Sequence, residues 1–387
     1  MKNINICSSF LIVLFLTFGL NVLGFAQTFQ TSDFSGNWYA YSIEVDPTPP
    51  GRVYWLWGNT NVNESGDVSG TFYGPDGSGV ALSGGQIALD YKGVVSGYFT
   101  AGGSTTQIVN GKMDPSKTKG TGVTIGSDGT MDLLTFIKGG GTFISSDIQG
   151  NWYQYVITID ATNGNVYWAY GLLSVDGSGK ATGDFTGPDG TIVSVSGSIG
   201  LNPDGILSGS ATLLEDGNSS PLTIVNGKLD QSKTSGTYVA INPNDGSMNI
   251  GYLLKSGGVF KQSDATGSWY VYTMVIDPIN GVYWAYGKAG IDALGNVKGS
   301  YTTPLGQSLK LTSRFPINNE GLSAGTFKFE TGDSGIIPSL KLNQAKTSMT
   351  GVAIVTSDTT FRGTMTILQF IKESNIALPW MPLLLLD

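Results

Sequence analysis

One segment of this chain is written three times. Phe29-x-x-Ser32-Asp33-x-x-Gly36-Asn37-Trp38-Tyr39-x-Tyr41 returns as Phe143-x-x-Ser146-Asp147-x-x-Gly150-Asn151-Trp152-Tyr153-x-Tyr155. It returns again as Phe260-x-x-Ser263-Asp264-x-x-Gly267-Ser268-Trp269-Tyr270-x-Tyr272. The matches run on: Val53-Tyr54-Trp55, Val166-Tyr167-Trp168 and Val282-Tyr283-Trp284 correspond, and each copy closes on an apolar strand ending in Lys138, Lys255 or Lys372. A repeat of about 115 residues is as long as an independent domain, far longer than a solenoid unit. The sequence therefore predicts three tandem domains, at 28–141, 142–258 and 259–374. Gly139-Gly140-Gly141 and Gly257-Gly258 mark the joints, and the repeated Phe and Ser-Asp beside them predict that each joint packs onto the next unit. A single sheet-rich body running through all three copies is the alternative.

Lys2, the apolar run Phe10–Leu16 and the small residues around Ala26 read as a signal peptide over 1–26. The expected location is extracellular or at the cell surface, with the periplasm also allowed. Cys7 is the only cysteine, so a cleaved chain has no disulfide and depends on packing and sheet hydrogen bonds. A formal charge of −8 without a Lys/Arg cluster argues against nucleic acid. The apolar tail at 375–387 has no counterpart in the first two copies.

The turns carry Asn-Gly, Asp-Gly and Pro-Asp-Gly, which supply positive φ for tight hairpins. In the second copy the pattern predicts strands near 152–160, 165–175, 180–187, 191–201, 206–215, 221–229, 235–241 and 247–255. The gaps are too short for helical crossovers, so neighbours are antiparallel. No segment has a helical period. The fold class is all-β: tandem antiparallel meanders of about eight strands, as small barrels or sandwiches. Along the first strand Tyr41, Ile43 and Val45 share a face with Tyr39, as do their counterparts in the other copies. Period two turns this set toward a core, opposite Trp38, Trp152 and Trp269.

Aromatic faces stack on sugar rings and their polar edges hydrogen-bond. The candidate ligand-binding residues are Trp38, Tyr54, Trp55, Trp57, Trp152, Tyr167, Trp168, Tyr170, Trp269, Tyr283, Trp284 and Tyr286. Cross-strand packing accounts for the same residues. Gly36-Asn37-Trp38 and its two counterparts resemble the opening of lipocalin-type barrels, a likeness of three positions per copy that implies a small-molecule cavity. No helix follows the barrel strands as it does in that family.

The repeated acids Asp33, Asp147, Asp264 and Asp46, Asp160, Asp277 could bind Ca²⁺, but turn-forming Asx hydrogen bonds explain the same residues and are the favoured reading. Lys117, Lys233 and Lys346 read as solvated or cross-strand partners. Histidine is absent, which removes His-based triads and most catalytic zinc sites. No cofactor or metal is expected. The sequence thus predicts a secreted or surface, non-enzymatic repeat protein that binds or scaffolds. Its expected partner is a polysaccharide or another surface component, where three copies would add avidity. Two alternatives stand beside it: a carbohydrate-processing enzyme with an Asp/Glu pair, and an outer-membrane barrel of about 24 strands.

Overall fold

The computed structural model describes residues 28–47, 52–357 and 361–374. The signal-peptide segment and the apolar tail lie outside the described residues. Each copy forms eight antiparallel strands in chain order, and the eighth pairs back with the first. The first barrel runs from β1 (Gly36–Asp46) to β8 (Met131–Lys138). The second runs from β9 (Gly150–Ile159) to β16 (Met248–Lys255), and the third from β17 (Gly267–Asp277) to β24 (Met365–Lys372). Closure removes every sheet edge, which a sandwich would leave open. The 24 strands form three small closed barrels rather than one large one.

All eight predicted strands of the second copy are present. The largest boundary difference is at β14 (Asn218–Leu229), which starts three residues early because Asp216-Gly217 makes a tight hairpin. One element was not legible. A single helical turn precedes each barrel, at Thr31–Phe34, Ser145–Ile148 and Gln262–Ala265. Its cause is the repeated aspartate: Asp33, Asp147 and Asp264 accept the backbone N–H three residues upstream at 3.0, 2.9 and 3.0 Å.

The two faces of the first strand divide differently from the sequence reading. Trp38, Trp152 and Trp269 point into their own barrels and close the lower end. Their indole N–H groups donate to Phe34 O, Ile148 O and Ala265 O at 2.6, 2.7 and 2.7 Å. The opposite set, Tyr41, Ile43, Val45 and their counterparts, leaves its barrel altogether. It enters one core that contains residues of all three copies, with Trp55, Trp168 and Trp284 among them. A strand buried on both faces shows no polar side, so alternation alone could not assign the inside.

That common core arranges the barrels as a ring. Trp55 Nε1 donates to Ala240 O at 3.1 Å, Trp168 Nε1 to Ala353 O at 3.1 Å, and Trp284 Nε1 to Thr124 O at 2.9 Å. The first barrel thus contacts the second, the second the third, and the third the first. A second set repeats the cycle: Tyr41 OH to Asn226 Oδ1 at 2.8 Å, Tyr155 OH with Ser339 Oγ at 2.9 Å, and Tyr272 OH to Asn110 Oδ1 at 2.8 Å. Asn110, Asn226 and Ser339 each sit at a β-bulge in the sixth strand of their barrel. A bulge re-aims a side chain, and here it turns the acceptor toward the neighbouring tyrosine.

Buried lysines seal the same three seams. Lys112, Lys228 and Lys341 have no exposed surface. Lys228 Nζ donates to Asp204 O at 2.7 Å, and lies 4.2 Å from the Phe143 ring and 5.7 Å from that of Tyr39 in the preceding barrel. Lys112 repeats this with Phe29 and Tyr270, and Lys341 with Phe260 and Tyr153. The contact requires glycine at Gly93, Gly205 and Gly321. Each has positive φ, and a Cβ there would lie 2.8, 2.6 and 3.0 Å from the lysine nitrogen.

Candidate functional site: the barrel lumens

The hairpins joining strands one and two, three and four, five and six, and seven and eight gather at one end of each barrel. The other end is closed by the tryptophan and the helical turn. Each lumen is therefore a cup with one mouth. The three cups share a frame, and the residues facing inward differ.

The first lumen carries polar groups near its mouth. It opens into a cavity of about 900 Å³ that also reaches Ile159, Asp160 and Met248 of the second barrel, and whose lining includes Ser42, Glu44, Tyr54, Thr124 and Asp132. Glu44 and Asp132 are direct register partners on β1 and β8, hydrogen-bonded to each other. Tyr54 OH donates to Glu44 Oε1, and Thr124 Oγ1 to Asp132 Oδ2 at 2.7 Å. Burial, and then the neighbouring Glu44 charge, push the Asp132 carboxyl up to about 8. Burial also raises Glu44, against the Tyr54 hydrogen bond. The pair thus retains a proton at neutral pH.

The second lumen is plugged. Tyr238 stands where the first barrel has Gly122 and the third Gly351. Its ring lies over Gly251, and its hydroxyl donates to Gln154 Oε1 at 3.1 Å.

The third lumen is apolar, with a cavity of about 680 Å³. Val275, Ala285 and Ala353 stand where the first barrel has Glu44, Leu56 and Thr124, and Leu311, Phe315 and Phe327 line the depth. Polar groups collect at the mouth: Asp277, Asn280, Tyr283, Thr303, Asp333 and Thr364. Leu305 and Phe361 sit on the rim, 86% and 38% exposed. Leu305, Leu311, Phe315 and Phe327 come from the middle of the third copy, and Val275, Asp277, Tyr283 and Ala285 from its first two strands.

The twelve candidate aromatics fall into four places. Trp38, Trp152 and Trp269 close the lumen floors, and Trp55, Trp168 and Trp284 lie in the ring core, so all six indoles are buried. Trp57, Tyr170 and Tyr286 are half-buried against the edge of that core. Trp57 also stacks on Tyr73, with ring centroids 4.6 Å apart. Tyr54, Tyr167 and Tyr283 stand near the mouths, and Tyr54 and Tyr283 line cavities. The structure does not gather the set into one surface.

The repeated charges serve the frame. Lys117, Lys233 and Lys346 pair with Asp33, Asp147 and Asp264 at 2.7, 2.7 and 2.8 Å, tying each sixth hairpin to its helical turn. They are neither free nor cross-strand partners. Asp160 caps its turn by accepting Thr162 N at 2.8 Å, and Asp277 does so with Ile279 N at 2.8 Å.

No family model and no curated protein matches this chain. Among solved structures it is similar to Transferrin Binding Protein B, a vaccine antigen of Haemophilus parasuis Hp5. The identity is 10%, over 87% of this chain and 76% of that one, with a TM-score of 0.28. It is also similar to a protein of unknown function from the DUF3598 family of Nostoc punctiforme. There the identity is 10%, over 59% of this chain and 97% of that one, with a TM-score of 0.24. Similarity at this level carries no inference about either fold or function.

Proposed function

We propose that this chain is a non-enzymatic binding protein of the cell surface or exterior, and that its principal ligand enters the third barrel. The supporting observation is the apolar cup of about 680 Å³ with a polar mouth and two apolar rim residues. Small-molecule sites commonly have ~300–1,000 Å³, an apolar body and a few polar groups. The ligand class this favours is small, neutral and largely apolar. A polysaccharide is favoured less, since six of the candidate aromatics are buried in packing. The acid pair also supports a non-enzymatic reading. Glu44 and Asp132 sit side by side on one wall, whereas glycosidases hold two carboxylates ~5–10 Å apart across a substrate. The exposed outer faces of the second barrel, with Ser194, Ser196, Ser198, Ser208 and Ser210, favour water over lipid.

The test is a fluorescence titration of the full three-barrel protein with the neutral apolar probe N-phenyl-1-naphthylamine. The expected result is saturable binding at one site per chain, removed by Ala285→Phe, which fills the cup. Saturation that is indifferent to Ala285→Phe places the ligand elsewhere. Binding to a glycan array without any probe binding would replace this reading with the polysaccharide one.

A further inference from the structure

In a chain of formal charge −8, the outer wall of the third barrel is basic. Three neighbouring strands build it: β19 (Asn296–Thr302), β20 (Ser308–Arg314) and β21 (Leu322–Phe329). Register partners share one face of a sheet. Thr312 is paired with Lys298 on one side and with Lys328 on the other. Lys310 and Arg314 lie two residues before and two after it on β20, on the same face. Four exposed cations thus surround one threonine. Diagonal neighbours in such a sheet stand ~7–8 Å apart, and like charges so placed oppose one another. Among the described residues, the one acid paired with them is Glu330, 3.5 Å from Lys310 Nζ. The frame does not call for these charges. The second barrel has Thr182, Ser194, Ser198 and Thr212 at the same register positions. Because the cations come from three strands, no basic run marks the patch in the sequence.

From this juxtaposition we infer that the outer wall of the third barrel binds an acidic polysaccharide. Carboxylates or sulfates of the polymer meet Lys298, Lys310, Arg314 and Lys328. The exposed hydroxyls of Ser300, Ser308, Thr312 and Thr326 lie among the cations, and a hydroxyl both donates to and accepts from sugar hydroxyls. Nucleic acid fits less well. None of the exposed residues of the three strands is aromatic, whereas single strands are held by base stacking. A duplex carries one charge per ~1.7 Å, and beyond a patch ~13 Å long it would run over an acidic protein. An anionic bilayer fits less well too, since no large apolar side chain is exposed on these strands to enter it. The site lies outside the lumen and does not depend on what enters the cup.

Isothermal titration calorimetry of the full protein at low salt tests this with polygalacturonate and with dextran sulfate. Methyl-esterified polygalacturonate is the uncharged control. A short DNA duplex and vesicles of phosphatidylcholine with phosphatidylglycerol are the competing anions. The expected result is saturable binding of at least one acidic polysaccharide, weakened by added salt, with none of the esterified polymer. Lys298→Thr together with Lys328→Thr copies the second barrel and should weaken binding at least about fivefold, as two exposed ion pairs would supply. Lys180→Thr together with Lys261→Thr removes the same charge from exposed sites elsewhere and should leave the affinity unchanged. Thermal melts matching the parent protein show that both variants are folded. Failure of both acidic polysaccharides to bind overturns the inference, as does equal binding of the esterified polymer. Equal loss in the two double variants reduces the effect to net charge and overturns it as well. Tighter binding of the duplex or the vesicles replaces the polysaccharide with nucleic acid or with lipid.

Discussion

The ring core and the barrel lumens use the two faces of the same strands, and they behave oppositely across the three copies. Facing the ring, Tyr41, Tyr155 and Tyr272 are identical, as are Trp55, Trp168 and Trp284. Facing the lumen three residues farther along, Glu44, Thr158 and Val275 are an acid, a neutral hydroxyl and an alkyl group. A ring of three barrels needs each copy to present the same donors and apolar groups to its neighbour. A lumen answers only to its own barrel, so one frame tolerates a carboxylate pair, a tyrosine plug and an apolar cup.

The comparison breaks first if the ring face proves dispensable. Trp168→Ala removes a fully packed indole and its bond to Ala353 O. It should destabilise the protein by about 3–5 kcal/mol, read by denaturant unfolding. A near-neutral result would make the ring contacts incidental.

The lumen side is sharpened by Tyr238→Gly, which gives the second barrel the residue its neighbours carry. It should cost somewhat less, about 3 kcal/mol, and add a second site for the neutral probe in the same titration. Unchanged stoichiometry would mean that Tyr238 is not the plug.

Titration separates the two regions by pH window. Burial pushes Lys112, Lys228 and Lys341 in the ring seams down to about 8 from 10.5. Between those values the unfolded chain binds more protons than the folded one, so stability rises as pH rises from about 8. Burial raises the ring tyrosines Tyr41, Tyr155 and Tyr272 instead. Unfolded tyrosine ionises near ~10 while the folded ring stays neutral, so stability falls again above that pH. Thermal melts should therefore show a rise above pH 8 that ends near ~10. Lys228→Met should reduce the rise, and an unchanged profile would remove the lysines as its cause.

The smallest effect belongs to the first lumen. Asp132 is raised from 3.8 to about 8. The folded state holds the extra proton between those values, so this group's contribution is present at low pH and lost as pH rises toward 8. Asp132→Asn, copying Asn249 of the second barrel, should flatten that fall and stabilise the protein by about 1 kcal/mol at pH 7.5. Loss of stability would show that the ionised pair is favourable where it stands.

Much of the frame was legible. Turn residues and alternation located the strands of the second copy because hairpin geometry is local. The ring was not, because Tyr41, Ile43 and Val45 are as apolar as a barrel interior, and nothing in period two says which buried face is whose. The helical turns were hidden in four residues, too few for a period, although Asp33, Asp147 and Asp264 marked them. The apolar cup was the least visible, because Leu311, Phe315 and Phe327 meet only when the barrel closes.

The central claim is that three closed sheets share one core and therefore fold as one body. Differential scanning calorimetry of the full protein tests it directly. One body gives a single transition whose calorimetric and van't Hoff enthalpies agree, shifted as a whole by Tyr238→Gly although that residue touches only the second lumen. Separate transitions, with Tyr238→Gly moving one and leaving the others in place, would contradict it and make the barrels independent domains.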